Sequence, residues 1–327
     1  MITYIEYLAG SNKGQTSNGD LFNNPFKLGD VDANYTSQNL VETVSAAGEF
    51  KPAWTPVVGN KVTFIANDGT ETELDVIDGK VTAPAEGRIK YVYDNIVVPQ
   101  NDLPMLRAEM KSIPLIAKAR RIAVFYSQIA AFQAKTDYGI ELGDQLAEKA
   151  VGQLSYEIDT EVTNLLIENA KVEDELKWSK TLPVGVSKME HYEGFTEIVE
   201  IGRQKIYDLT KRFAPNYMLI ASNVLPVLTF IKGFSAAPAG QVNGPYFAGT
   251  LNGLKVFVTP NIAPGKFVLG VNGDDMMSSA AVYAPYMAIV PTQLLQYADG
   301  GTSQGWSTLY DLKLLNKDLL VAGEILA

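Results

Sequence analysis

The sequence predicts an α+β protein. A long stretch of helical periodicity at about 141–170 lies between two regions with the alternation and turn chemistry of antiparallel strands, and helices and strands alternate after it.

The helix is the strongest element. Leu142, Leu146, Ala150, Leu154, Ile158, Val162 and Leu166 recur every fourth residue, joined by Val151 and Leu165, with Glu148, Lys149, Glu157, Asp159 and Glu161 between them. Asp137 and Glu141 suit the positive end of the helix dipole. At 1.5 Å per residue the helix is a rod of roughly 45 Å, long beside the mean globular helix. A second amphipathic helix is predicted over about 194–213, with Phe195, Ile198, Val199, Ile206, Leu209 and Phe213 on one face. A strand at 217–221 follows, and Ser222 or Asn223 is placed to cap a short helix through Phe230. A Gly/Pro/Ala-rich loop is expected over 233–250.

On the N-terminal side, residues 57–121 read as β-structure. Val62 to Ile65 leads into the turn Asn67-Asp68-Gly69-Thr70 and returns through Leu74 to Ile77, and Asp78-Gly79 marks a second turn. Ile89 to Tyr93 alternates as a half-buried strand should. Ile113 to Phe125 reads as extended, with Pro114 arguing for an edge position. Residues 1–56 are polar and loop-like, with only Leu40, Val41 and Val44 hinting at a short helix. The stretch Gly10 to Asp20, with turn formers and almost no apolar residue, cannot fold alone and is expected either to lie along another chain or domain or to be a disordered tail. Beyond the central helices, strands are predicted at 254–259, 266–271, 280–290, 306–314 and 318–326.

Composition narrows the function. Hydrophobic residues at 46% and charged residues at 20% describe a folded protein, and a net charge of −10 opposes non-specific binding to nucleic acid. If the chain encloses DNA, it is a container and not a neutralising coat. With no cysteine there are no disulfides, thiolate metal sites or thiol nucleophiles. No apolar run reaches the roughly 20 residues that span a bilayer, and Met1 to Leu8 does not read as a signal peptide, so a soluble, intracellularly made protein is expected.

Catalytic constellations are lacking. Phosphate-binding glycine motifs and the Gly-x-Ser-x-Gly elbow are absent. The single histidine, His191, has no nucleophile tied to it by motif and is expected to be structural. Asp30-Val31-Asp32-Ala33-Asn34 begins like a calcium loop, but Tyr35 stands where glycine is needed and Val41 where a glutamate should close the site. Asn272 to Asp275 is a lone acidic turn. Glu157 and Glu161 lie one helical turn apart, a pairing that arises by chance on a chain with 37 carboxylates. No catalytic, cofactor-binding or metal-binding residue is therefore assigned, and no cofactor. The notable charge feature is the basic cluster Arg107, Lys111, Lys118, Arg120 and Arg121, for which pairing with carboxylates of a neighbouring subunit is expected before DNA binding.

Several segments in order resemble a known family. Glu109 to Pro114, Ala117 to Arg120 and Tyr126 to Ala130 look like the strand leading into a spine helix, and Asp137 to Ile140 with Glu157 to Val162 look like that helix. Asn216 to Val224 resembles the first axial-domain strand. Phe247 to Pro260, then Phe267 to Gly273, then Ala281 to Tyr286, look like an axial-to-peripheral return. Together, over roughly 105–327, they resemble the major capsid proteins of tailed bacteriophages with the Hong Kong 97-type fold, especially those of T-even-like myophages.

The resemblance implies an N-terminal arm (1–56), an extended β-loop region (57–121), a peripheral domain on the spine helix (122–189), an axial domain (190–283) and a return to the peripheral domain (284–327). It implies a structural, non-enzymatic subunit of a virion, assembled in the host bacterial cytoplasm. Its partners would be itself in hexamers and pentamers, a portal, and scaffold or decoration proteins, with double-stranded DNA enclosed without sequence-specific binding and no membrane. An encapsulin-like compartment, a capsid vertex protein and, further off, an unrecognised hydrolase are the alternatives. T-even-type proteins carry an N-terminal segment removed by a maturation protease, whereas this chain starts at Met1 and is short; the 57–96 segment has no counterpart in the resemblance. Some family members crosslink a loop lysine to a neighbour's asparagine, but no motif selects Lys61, Lys80 or Lys90 for that chemistry.

Overall fold

The computed structural model describes residues 1–57, 59, 61–93, 104–238, 240 and 244–326, in two units: Thr3–Ser112, and Ile113–Ala327 with the first two residues.

Among the described residues, the regular elements of the N-terminal unit are all strands. Its strands are β1 (Ile2–Ala9), β2 (Leu21–Asn23), β3 (Asn39–Val44), β4 (Gly48–Phe50), β5 (Val62–Ala66), β6 (Glu71–Leu74), β7 (Val76–Ile77), β8 (Lys80–Ala83), β9 (Gly87–Val92) and β10 (Leu106–Ile113). They form three small sheets in the orders β10-β1-β2, β3-β9-β5-β6 and β4-β8-β7. Both predicted hairpins are present. Val62 pairs with Leu74, and Val76 pairs with Val81 across a tight turn in which Asp78 and Gly79 both take positive φ, as a type I′ turn requires.

The hint of a helix at Leu40 to Val44 is corrected. These residues form β3, antiparallel to β9, with Leu40 opposite Tyr91 and Val44 opposite Gly87. Alternation decides it: Leu40 and Val44 are buried while Glu42 sits on the same face at its polar rim, and Val41 and Thr43 face the other way. Leu40 and Val44 then join Val62, Phe64, Val81, Ala83, Ile89, Tyr91 and Tyr93 in one buried cluster. The first 56 residues thus contribute to a core that the sequence gives no sign of.

The C-terminal unit begins with β11 (Lys118–Ser127), α1 (Gln128–Tyr138) and α2 (Leu142–Asn169). Ser127 caps α1, accepting from the Ala130 N–H, and Gly139 closes it in the left-handed region. Then come β12 (Lys171–Ser179), α3 (Lys188–Glu193), α4 (Phe195–Thr210), β13 (Tyr217–Ile220), α5 (Leu225–Leu228), β14 (Phe234–Ala236), β15 (Tyr246–Leu251), β16 (Leu254–Val258), β17 (Lys266–Gly270), β18 (Ala281–Pro291), β19 (Leu295–Gln296), β20 (Gly301–Leu314) and β21 (Leu320–Leu326). The α+β class, the long helix and the late strands are as the sequence predicts. Two details differ. The expected loop over 233–250 contains β14 and β15, which pair with each other; residues 239 and 241–243 lie outside the described residues. Asn223 does not cap α5, because its side chain instead accepts from the Gly265 N–H at 3.0 Å.

A seven-stranded sheet in the order β12-β21-β17-β13-β16-β15-β14 holds the main core. Phe195, Val199, Gly202, Ile206 and Thr210 form the buried face of α4, against Leu176, Phe267 and Leu269 of the sheet, while Leu209 points outward. A second sheet, β11-β20-β18, carries α2. Ala150 and Leu154 of the helix pack on Trp306, with Ile122 and Val124 beside them.

Candidate functional site

Three of the charged residues singled out in the sequence, Arg120, Glu157 and Glu161, meet at one place in the C-terminal unit. Along β11, residues 120, 122, 124 and 126 face the helix and are half-buried, while their neighbours are exposed. Ile122 and Val124 fill the apolar part of this face, and Arg120 extends it by one strand step to the charged part of α2. There its guanidinium forks between Glu157, at 2.8 Å, and Glu161, at 2.6 Å. Nε donates to the Tyr310 hydroxyl at 2.5 Å, and that hydroxyl donates in turn to Glu161. Tyr310 stands on β20, where it pairs with Lys118 of β11. Three elements distant in sequence are thereby joined through one cation.

The electrostatics follow from the contacts. Burial alone pushes the Glu161 carboxyl up, but the Tyr310 hydroxyl, Arg120 and Lys118 together hold it below the usual carboxylate range. The same contacts push Arg120 up, chiefly through Glu161, and burial with the Glu161 charge raises Tyr310. Arg120 bridges Glu157 and Glu161, an arrangement that ties the strand β11 to the helix α2. The surrounding groove of about 610 Å³ is open and charged, lined also by Lys118, Thr160, Asn164 and Glu168. A recess of about 270 Å³ on the other side of α2 is apolar, with Leu166, Tyr217, Phe257 and Tyr283 among its walls.

Three members of the basic cluster have carboxylate partners within the chain. Arg107 is bound by Glu109, Lys111 by Glu6 at 2.5 Å, and Arg120 as described. Glu109 lies two residues along the same strand as Arg107, and the partners of Arg120 lie on α2; Lys118 and Arg121 remain exposed. Lys61 and Lys80 pair with Glu73 and Glu49 on the surface, and Lys90 is exposed on β9.

His191 stacks on Trp178 with ring centroids 4.8 Å apart, and its Nε2 lies 2.9 Å from the Ser179 carbonyl oxygen, a packing role. The Asp30 to Asn34 segment is a turn. Asp32 accepts from the Asn34 N–H at 2.9 Å while its own N–H donates to Thr16. Asn272 exchanges hydrogen bonds with Asn216, and Asp275 opens a single 3₁₀ turn at Met276–Ser278. Among the described residues no group of three or more His, Cys, Asp or Glu side chains is placed to hold a metal ion, and no helix is long and apolar enough to cross a membrane. Sequence reasoning did not find Lys13, which is buried against Trp54 and Tyr93, and no local signal marks it.

Comparison with known proteins decides the family. The model of the major capsid protein Gp23 family matches residues 3–319. The chain belongs to the Gp23 major capsid protein family. The major capsid proteins of Enterobacteria phages T6 and T4 are each 25% identical over 224 residues; the match covers 60% of this chain and 44% and 42% of theirs. The chain therefore spans under half the length of these relatives. Among solved structures, the capsid of Myoviridae phage XM1 is similar with a TM-score of 0.46 at 8% identity, over 90% of this chain and 88% of that one.

Proposed function

We propose that this protein is a structural subunit of a virion shell. The observation that carries this is the family match across residues 3–319. In this reading the chain has a Hong Kong 97-type fold and no catalytic role. Residues 1–56 and 57–121 serve as arm and extended loop, 122–189 and 284–327 as peripheral domain around α2, and 190–283 as axial domain. Copies close into hexamers and pentamers around double-stranded DNA, with portal, scaffold and decoration proteins as further partners and the host cytoplasm as the site of assembly. The chemistry is geometric: symmetry repeats many weak contacts until together they hold a closed surface.

The described surface supports this. Helix α1 has no buried residue, and Ile129, Phe132 and Tyr138 on it are each at least 70% exposed, an apolar display that isolated proteins seldom keep. The net charge of −10 fits a wall that encloses DNA without gripping it.

Electron microscopy and sedimentation of the purified chain, across salt concentrations and with candidate scaffold present, test the proposal. Closed shells or capsomer rings are expected, with nuclease-protected DNA in particles from infected cells. A monomer under every condition would overturn it, and particles filled with a protein cargo would replace the DNA-filled head by a cargo compartment.

A further inference from the structure

Lys13 is one of the largest fully buried side chains of the molecule, with 2% of its surface exposed. A lysine is rarely left so far from water, because burial penalises its charged form and its long stem loses rotamer freedom. The surroundings compensate in an unusual way. Its Nζ donates to the Ser37 carbonyl at 2.6 Å and to the Tyr93 hydroxyl at 3.0 Å. It also lies 4.8 Å from the centroid of the Tyr93 ring and 5.7 Å from that of Trp54. The two rings stand 4.7 Å apart, inclined at 58°, and so form two walls of a pocket. Aromatic faces carry negative potential, and a cation removed from water gains most from them.

The backbone on the other side of this contact is shaped to deliver the ammonium. Lys13 and Thr16 exchange backbone hydrogen bonds at 2.9 and 3.1 Å across a tight turn, in which Gly14 takes φ +61°. Thr16 Oγ1 accepts from the Asp32 N–H, and Ser11 Oγ lies 2.9 Å from the Tyr35 hydroxyl. Residues 11–37 contain one short strand, β2, so little regular ladder holds them. Their buried polar side chains, Ser11, Lys13, Thr16 and Asn24, carry part of that task.

We propose that Trp54, Tyr93 and the Ser37 carbonyl form a binding box for a primary alkylammonium group, filled by the chain's own Lys13, and that its occupancy latches the 11–35 segment onto the chain entering β3 at Ser37 and leaving β9 at Tyr93. This goes beyond the shell reading and does not depend on it. The box recognises a cation through π faces and neutral oxygens, so Ser37 and Tyr93 lose their donor when the ammonium is withdrawn. The segment then has an open state that only an ammonium can close.

Two measurements on the full chain test this. In the unmodified protein, mass-spectrometric mapping after brief treatment with an amine-reactive ester is expected to show Lys13 modified at least about tenfold more slowly than exposed Lys51 and Lys90, since modification waits for opening. In Lys13→Ala, amide exchange across 11–35 is expected to accelerate by on the order of tenfold, with β5 and β9 unchanged. n-Propylammonium should restore slow exchange where equal sodium chloride does not. Lys13 reacting as fast as Lys51, unchanged exchange in Lys13→Ala, or rescue by sodium chloride would each overturn the latch. Should Lys13→Ala not fold, the labelling ratio in the unmodified protein decides alone.

Discussion

Arg120 and Glu161 are 41 residues apart in sequence, yet the guanidinium of one meets the carboxylate of the other at 2.6 Å, with Glu157 and Tyr310 completing the cluster. Replacing Arg120 by alanine is expected to lower stability by about 1 kcal/mol, a figure kept small because the side chains are roughly one-third exposed or more and screened by water. Lysine should not restore the loss, since a single ammonium cannot fork between two carboxylates. Denaturant titration of R120A, R120K and the double variant R120A/E161Q would check both points, the coupling being the difference that remains in the cycle.

The same cluster predicts a pH dependence. Glu161 titrates below its ordinary value of 4.5, so the folded state favours the anion. A depressed carboxylate pKa adds stability that is fully present above the unfolded value and is lost as pH falls through the folded one. The difference between the unmodified chain and E161Q should accordingly be constant near neutrality and shrink as pH falls below 4.5. A difference that grew on acidification would contradict the assignment.

Gly202 sits on the buried face of α4, where a Cβ would come within 2.3 Å of Leu269 Cδ1, itself fully buried. Alanine favours helix over glycine by about 1 kcal/mol, but overpacking a close-fitted core costs about 1–3 kcal/mol. Because Leu269 is fully buried and the Leu176 methyls also lie beside the new Cβ, G202A is expected to destabilise. A raised melting temperature would show that the sheet yields more easily than its packing indicates.

Replacing His191 by glutamine should change Trp178 fluorescence, because the ring stacked on the indole is lost. Stability should fall by no more than about 1 kcal/mol, in keeping with a half-buried aromatic contact. Assembly measured by light scattering should be unaffected. Loss of assembly with an unchanged melting curve would give His191 a role that its packing does not suggest.

Helices α2 and α4, the two hairpins and the late strands were legible in the sequence because each is governed by local periodicity or by turn residues such as Asp78 and Gly79, whereas α1 and α3 were not. What was not legible depends on partners far along the chain. Leu40 and Val44 look like a fragment of helix until β9 lies beside them, at which point alternation is all that counts. Arg120, Glu157 and Glu161 were each visible as charges, but nothing in their spacing says that a strand and a helix would bring them together. Lys13 lies in a run of turn formers that reads as solvated, and only the fold sets two aromatic rings around it.

Truncation tests the point about β3. Removing residues 1–56 deletes a strand paired to β9 and two members of a buried cluster. The remaining 57–93 region is expected to lose its protection against proteolysis, whereas α2 and the seven-stranded sheet keep theirs. Equal resistance in both regions would mean that β3 is dispensable.

The seven-stranded sheet has a consequence for timing. Its strand β21 (Leu320–Leu326) is inserted between β12 and β17, parallel to one and antiparallel to the other, so neither neighbour has its final partner before residue 326 has left the ribosome. During synthesis the two strands that flank the gap present unpaired backbone to solvent, and pairing across such sequence distances is slow. The main core is therefore completed only once residues 320–326 have been made, after every other strand of that sheet.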